Sequence, residues 1–169
     1  VGTDDEYSGT ATLNVTDDEL EQLYAESQVH LEQTAGMPTN TGLVLHSSKG
    51  HALGRLHDDG STRLVRADRD VFGLHGRSAE QRLAIDLLLD PEVGIVSMGG
   101  RAGTGKSALA FCAGLETVLE RREHRKIMLF RPLYAVGGQD LGYLPGTEEE
   151  KMNPWGQAVF DTLSAVVST

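Results

Sequence analysis

The 169-residue sequence has little cysteine, few aromatic residues and no long apolar run. Its single cysteine, Cys112, has no partner for an internal disulfide, which is typical of a protein from a reducing compartment. Aromatic residues make up 5% of the chain, so large rings cannot dominate the core. No apolar run approaches the roughly 20 residues that span a bilayer. We therefore expect a cytoplasmic protein without a membrane-spanning helix.

Positive charge is also scarce, because 15 basic residues stand against 25 acidic ones and give a net charge of −10. A field of this sign repels nucleic acids and anionic membranes. Contact with a polyanion would therefore need a local basic cluster or a bound metal. The chain begins with "VGTDDEYSGT", which has neither the basic end nor the apolar segment of a signal peptide and no initiator Met. We expect it to be a piece of a longer protein.

Residues 1–70 predict one helix followed by a small sheet. Residues 1–14 are small and polar, which favours irregular structure. Thr16 and Glu19 match a capping box, and the helix that they open is expected to end at Gly36. One apolar stripe of that helix consists of Leu20, Leu23, Tyr24 and Leu31. Three short apolar runs between residues 42 and 67, with a turn at Asp59-Gly60, then predict a three-stranded β-meander.

Three histidines, His46, His51 and His57, fall near the turns of this meander. No cysteine or closely spaced histidine pair completes a metal site, so we interpret them as exposed turn residues.

Residues 71–169 have the pattern of an α/β domain. Ser78 and Gln81 form a second capping box, and the helix that follows closes at Asp90-Pro91. The apolar residues 93–98 and 126–130 predict two strands of a buried parallel sheet, separated by a helix over residues 105–121. A long loop over residues 132–152 and a last helix beginning at Asn153-Pro154 complete the pattern.

The stretch "GRAGTGKS" follows the first of these predicted strands and matches G-x-x-x-x-G-K-[ST] without a gap. Glycines let several backbone N–H groups converge on one phosphate, and the following helix adds its positive end. Lys106 is the expected catalytic cation on the β- and γ-phosphates, and Ser107 is the expected ligand of a nucleotide-bound Mg²⁺. The predicted nucleotide-binding residues of this loop are Gly100, Arg101, Ala102, Gly103, Thr104, Gly105, Lys106 and Ser107.

Gln81 lies 19 positions before Gly100 and has two interpretations. Its carboxamide could accept from the amino group of adenine and donate to a ring nitrogen, a pattern that guanine does not match. It could equally be only the third-position member of the capping box.

Three stretches together resemble the PhoH family of P-loop ATPases: "GRSAEQRLAIDLLLD", "GGRAGTGKSALAFCAGLE" and "RPLYAVGGQDLGYLPGTEEEKMNPW". The last is the most specific of the three, and the resemblance covers residues 72–169. It implies an incomplete P-loop NTPase fold of the RecA/helicase type, with ATP and Mg²⁺ as ligands. Residues 1–70 resemble the segment that joins a PIN ribonuclease domain to PhoH in fused proteins. The resemblance to such proteins implies an ATP-dependent RNA helicase or ribonuclease component, with single-stranded RNA as partner and a homo-oligomeric assembly.

Carried onto individual positions, the resemblance makes Gln81 a counterpart of the helicase glutamine motif. It places Arg131 where such helicases begin to contact RNA, although a structural ion pair is an equal alternative. The basic residues around position 124 could touch RNA phosphates, but cations at the end of a helix explain them better. These residues are Arg121, Arg122, His124, Arg125 and Lys126.

The sequence differs from the family pattern in the residues that hydrolysis requires. After Ser107 it contains no apolar strand that ends in the acidic pair of a Walker B motif, and the PIN carboxylates are also missing. We expect these residues alone to be inactive. Two alternatives stay open: a nucleotide-binding module without catalysis, and a small phosphotransferase of the kinase type. Arg131, at the place of a substrate-reading Asp, counts against the second.

Overall fold

The computed structural model describes residues 8–66 and 68–130, together with Asp161 and Ser164. Within this part the strands are β1 (Thr10–Asn14), β2 (Gln28–His30), β3 (Gly42–Ser47), β4 (Gly50–Leu56), β5 (Ser61–Leu64), β6 (Asp70–Val71) and β7 (Leu74–His75). The helices are α1 (Asp17–Glu26), α2 (Ala79–Leu88) and α3 (Lys106–Leu115). A 3-10 turn covers Glu32–Thr34, and α3 continues as π-helix over Glu116–Glu120. The fold is mixed α/β, as predicted.

The predicted meander is confirmed as β3, β4 and β5, but it belongs to a five-stranded sheet of order β1-β3-β4-β5-β2. The expectation of irregular structure before residue 14 was wrong for residues 10–14. β1 pairs in parallel with β3, so that Thr10 lies opposite Gly42. Ala11 and Leu13 pack against the core on alternate positions, although the threonines between them make the segment polar on average. The alternation of apolar and polar residues identifies this segment as a strand, although the segment is polar on average.

The first helix begins as predicted and ends ten residues early. The Glu19 N–H donates to the Thr16 hydroxyl at 3.1 Å, and the Thr16 N–H donates to the Glu19 carboxylate at 2.8 Å. The helix ends at Ser27, whose φ of 61° is left-handed. Val29 then enters β2 opposite Thr62, and Leu31 reaches the core from beyond that strand. The predicted helix to Gly36 is wrong because the chain changes from helical to extended periodicity at Ser27.

The core under this sheet is aliphatic, as the shortage of aromatic residues requires. Tyr24, assigned to the apolar stripe, is 56% exposed, and its hydroxyl donates to the His51 carbonyl. The buried residues are Leu20, Leu23, Val29, Leu31, Leu43, Leu45, Ala52 and Leu56.

The helices α2 and α3 confirm the two helices predicted around the glycine-rich loop, and they pack against each other over a second cluster. Between the sheet and α2 lies a hairpin, β6-β7, that was not predicted, because its two-residue arms are too short to show a period. Its turn has positive φ at Phe72 and Gly73. The second cluster contains Val71, Ile85, Leu89, Leu109, Cys112 and Ala113.

The structure assigns no strand to residues 93–98 or 126–130, which were predicted as buried parallel strands. Ile95 is 91% exposed and Phe130 is 82% exposed. A parallel strand obtains its hydrogen bonds from neighbouring strands. Within the described ranges these two segments have no such neighbour, and Val93, Val96 and Met98 are only half-buried. The predicted loop over residues 132–152 lies outside the described residues, as does most of the last predicted helix.

Candidate functional site

The glycine-rich loop approaches the N-terminus of α3 through left-handed backbone. Gly103 has φ of 79° and Gly105, the N-cap residue of α3, has φ of 86°. A side chain at Gly105 would also come within 3.3 Å of the Gln81 amide nitrogen. Glycine is therefore required at position 105 both by its conformation and by the close approach of α2.

Lys106 and Ser107 are the first two residues of α3, where backbone N–H groups have no acceptor within the helix. The positive end of the helix dipole lies at the same place. Arg101, Ala102, Gly103, Thr104 and Ser107 are all exposed, so a ligand can reach the loop from solvent. The arrangement presents positive partial charge to an approaching anion.

The Lys106 ammonium group is held by the loop itself. It donates to the carbonyl oxygens of Gly100 at 2.9 Å and Arg101 at 2.6 Å, and to the Thr104 hydroxyl at 3.1 Å. These contacts engage all three ammonium hydrogens. They hold the cation folded back over the loop.

The sequence predicted Thr104 as a nucleotide-binding residue of the loop but gave no separate role to its side chain. Its hydroxyl accepts from Lys106 and donates to the Arg101 carbonyl at 2.9 Å. The signal that could have found it is a hydroxyl two residues before the lysine of the motif. Thr104 thus helps to orient Lys106.

Gln81 connects α2 to the loop. Its backbone N–H donates to the Ser78 hydroxyl at 3.2 Å, so the helix is capped as predicted. Its side-chain oxygen accepts from the N–H of Arg77, one residue before the N-cap, at 2.8 Å. Its side-chain nitrogen donates to the Thr104 carbonyl at 3.1 Å. Only the Ser78 half of the predicted capping box is therefore formed, because the Gln81 side chain accepts from Arg77 and not from Ser78. The same side chain contacts the glycine-rich loop at Thr104.

The Gln81 carboxamide retains hydrogen-bonding capacity after these contacts. An amide offers two acceptor lone pairs and two donor hydrogens, and the contacts to Arg77 and Thr104 use one of each. One acceptor position and one donor position of the carboxamide therefore remain after these two contacts.

A cavity of about 700 Å³ lies beside the loop. Its wall includes residues of the first sheet, which the sequence reasoning did not connect with the site. The lining includes Gly100, Thr104 and Lys106 from the loop, Gln81 and Ala84 from α2, Gly42 and Arg55 from the sheet, and Asn40 from the turn before β3.

Other candidate residues lie away from the loop. His46 and His51 are exposed, as expected, whereas His57 is half-buried and burial lowers its pKa. Within the described part of the chain, no group of three or more histidine, cysteine, aspartate or glutamate side chains could hold a metal ion. Arg121 lies near Glu116, and its guanidinium donates to the Leu89 carbonyl at 3.1 Å. Arg131 lies outside the described residues.

The second half of the chain shows to which protein family it belongs. Residues 73–169, more than half of the sequence, match the family model described as PhoH-like protein. The chain belongs to the PhoH-like family. Membership implies a nucleotide-binding module of the ATPase type. The phosphate loop, Gln81 and the helices α2 and α3 all lie in the matched PhoH-like region.

Several proteins are similar to this PhoH-like chain over 96% of its length. Protein PhoH2 of Thermobispora bispora is 67% identical over 162 residues, and Protein PhoH2 of Mycolicibacterium smegmatis is 59% identical over 162 residues. Protein PhoH2 of Bacillus subtilis is 34% identical over 170 residues. The chain spans 37% of the length of the first two proteins and 38% of the third. No solved structure matches the chain. Within the described residues, no helix is long and apolar enough to cross a membrane.

Proposed function

We propose that this PhoH-like chain binds ATP with Mg²⁺, and that the full-length protein hydrolyses the ATP. The observation that carries the proposal is the meeting of two elements at Thr104. Gln81 donates to its carbonyl oxygen, and Lys106 donates to its hydroxyl. A base-reading amide and a phosphate-binding cation are thus joined through one residue.

In the proposed complex, the backbone of the loop and the first turn of α3 bind the phosphates. Lys106 exchanges its loop carbonyl contacts for oxygens of the β- and γ-phosphates, where it neutralises charge that develops during transfer. The exchange needs no new charge in the site, since the ammonium already lies at the loop. Gln81 uses its free acceptor and donor for adenine.

The residues present fit a nucleotide-bound Mg²⁺. Ser107 is exposed at the second position of α3 and offers a hydroxyl beside the phosphates. Mg²⁺ keeps several waters and binds through one or two protein ligands together with phosphate oxygens. Among the described residues there is no preformed cluster of carboxylates for it. The Ser107 hydroxyl and the phosphates of ATP would hold the metal, which would supply charge neutralisation at the phosphates.

The remaining parts of the proposal rest on the family resemblance. We infer that the full-length protein is an ATP-dependent RNA helicase or ribonuclease component that binds single-stranded RNA, that it is cytoplasmic and that it forms a homo-oligomer. Arg131 is the proposed RNA contact at the end of the segment that follows α3. Arg122, Arg125 and Lys126 are exposed before it and could add phosphate contacts.

The test is phosphate release by the full-length protein at saturating ATP and Mg²⁺, with and without single-stranded RNA. We expect RNA to stimulate release and Lys106→Ala to abolish it. Lys49→Ala is the matched control, because Lys49 is an exposed lysine in the turn between β3 and β4 that pairs with Glu21 of α1, far from the loop in sequence. ATP binding without release would support the non-catalytic module instead. Phosphate transfer to a small acceptor would support the phosphotransferase.

A further inference from the structure

Arg55, the second-last residue of β4, is the one buried charged residue among the described residues, at 5% exposure. Its Nε donates to the Asp86 carboxylate at 2.7 Å, and its Nη1 donates to the Asn40 side-chain oxygen at 2.7 Å. Its Nη2 donates to the Asp90 carboxylate. All three guanidinium nitrogens are thereby engaged.

The two carboxylates belong to α2 and its end. Asp86 lies in the last turns of α2, and Asp90 lies two residues after the helix ends at Leu88. A buried ion pair often contributes little net stability, because desolvation offsets the attraction. A forked guanidinium between two carboxylates instead fixes the relative position of the groups that it binds. Arg55 therefore fixes the C-terminal half of α2 against the sheet.

Apolar packing fixes the middle of the same helix. Leu83 is buried in a cluster with Leu53 and Val65 of the sheet region. At Gly42 a Cβ would lie 2.7 Å from a Leu83 methyl group, so the absence of a side chain on β3 lets α2 approach this closely. The helix has two attachments to the sheet, one ionic and one apolar.

The N-terminal turn of α2 contacts the phosphate loop, at the other end of the helix from its ionic attachment. Gln81 lies two residues before Leu83 and hydrogen-bonds to Thr104 of the phosphate loop. Since an α-helix is a rigid rod over ten residues, the contacts of Leu83 and Asp86 with the sheet also set where Gln81 lies.

We propose that Arg55 is a positioning residue of the nucleotide site. It holds α2 on the small sheet so that Gln81 can touch Thr104 and adenine together. The sheet of residues 10–64 is then a structural wall of the site and not only a connector between domains. The inference rests on the proposed function, because it assumes that Gln81 reads the base.

The test compares the dissociation constants of ATP and GTP in the full-length protein. Arg55→Met removes the forked contacts but keeps an unbranched side chain in the space. Arg63→Met is the matched control: Arg63 lies directly opposite Arg55 on β5, yet it is half exposed and pairs with Asp59, not with α2. Both variants are made in the natural background and in Gln81→Ala.

We expect Arg55→Met to reduce the preference for ATP over GTP roughly fivefold, the size of one net hydrogen bond, and Arg63→Met to leave it unchanged. In the Gln81→Ala background, Arg55→Met should cause no further loss of preference, because residues that act through one contact are not additive. Equal weakening of ATP and GTP, or additive losses, would show a purely structural role and overturn the inference.

Two further comparisons distinguish a failure of this inference from a failure of the proposed function. If Arg55→Met does not fold, Arg55→Lys replaces it, since a single ammonium keeps the charge and reaches one carboxylate but not the full fork. A normal ATP preference in folded Arg55→Lys would count against positioning. If Gln81→Ala alone leaves the preference intact, the base-reading role of the proposed function fails, and the inference fails with it. If Gln81→Ala acts and Arg55 variants do not, only the inference fails.

Discussion

The side-chain nitrogen of Gln81 lies 3.1 Å from the carbonyl oxygen of Thr104, which joins the first turn of α2 to a loop 23 residues further along the chain. The same carboxamide accepts from the Arg77 N–H. One side chain therefore closes the helix end and braces the phosphate loop. The following predictions depend on this junction and on its surroundings.

Lys106→Ala should weaken ATP binding by about 1.5–3 kcal/mol, the size of hydrogen bonds to a charged group. The reason is that Lys106 is the side-chain cation held at the loop by the carbonyls of Gly100 and Arg101. Calorimetric titration of the full-length protein measures the change, with Lys49→Ala as control. Unchanged affinity for ATP would remove the loop from the mechanism.

Gln81→Glu should lower the preference for ATP over GTP while α2 stays intact. A glutamate at this position still accepts from the backbone and is a good third residue of a capped helix. It cannot donate to Thr104 or to adenine. Titrations with ATP and GTP measure the base preference, and circular dichroism measures the helicity. Gln81→Ala is measured in the same way for comparison. A loss of helicity in Gln81→Ala with unchanged preference would favour the capping interpretation alone.

These 169 residues, expressed alone, should not turn over ATP at a useful rate. Hydrolysis needs positioned water and a held metal, and no acidic strand end follows Ser107 in the sequence. The apolar side chains exposed at Ile95, Met128 and Phe130 should also cause association. Steady-state phosphate release with and without single-stranded RNA, compared with Lys106→Ala, tests the first point. RNA-stimulated release that the mutation abolishes would mean that the missing carboxylates lie elsewhere in the chain.

Acid should loosen the contact between α2 and the sheet. Burial raises the pKa of Asp90, but hydrogen bonds from Arg55 and the Glu92 N–H, with the nearby charges of Arg55 and His57, outweigh burial and lower it. A lowered folded-state pKa stabilises the fold fully above the unfolded value of about 3.9, and the stabilisation is lost as pH falls through the folded value.

Asp90→Asn should therefore be less stable than the natural chain at neutral pH, and the difference should shrink below about pH 3.9. Denaturant unfolding at several pH values measures it. The control is Asp58→Asn, which changes an exposed carboxylate on the sheet. An Asp90→Asn deficit that is constant across this acid range would show that its charge is not responsible.

Local patterns in the sequence predicted the elements whose signals lie within a few neighbouring residues. The capping residues Thr16 and Ser78, the Asp59-Gly60 turn and the Gly105-Lys106-Ser107 helix start all depend on hydrogen bonds or backbone conformations of adjacent residues. The same holds for the phosphate loop, whose function depends on backbone conformation and one cation. The apolar runs at residues 93–98 and 126–130 were predicted as strands, but a strand depends on a partner that the run itself does not contain.

The sequence by itself therefore determined the helix starts, the meander, the position of the glycine-rich loop and the family. Only the tertiary structure decided that β1 pairs with β3, that α1 ends at Ser27, and that Gln81 meets Thr104 while Arg55 meets Asp86 and Asp90. The physical reason is distance along the chain. Contacts between residues 20 to 35 positions apart form only when whole elements pack, and their free energy depends on burial and geometry that no local pattern encodes.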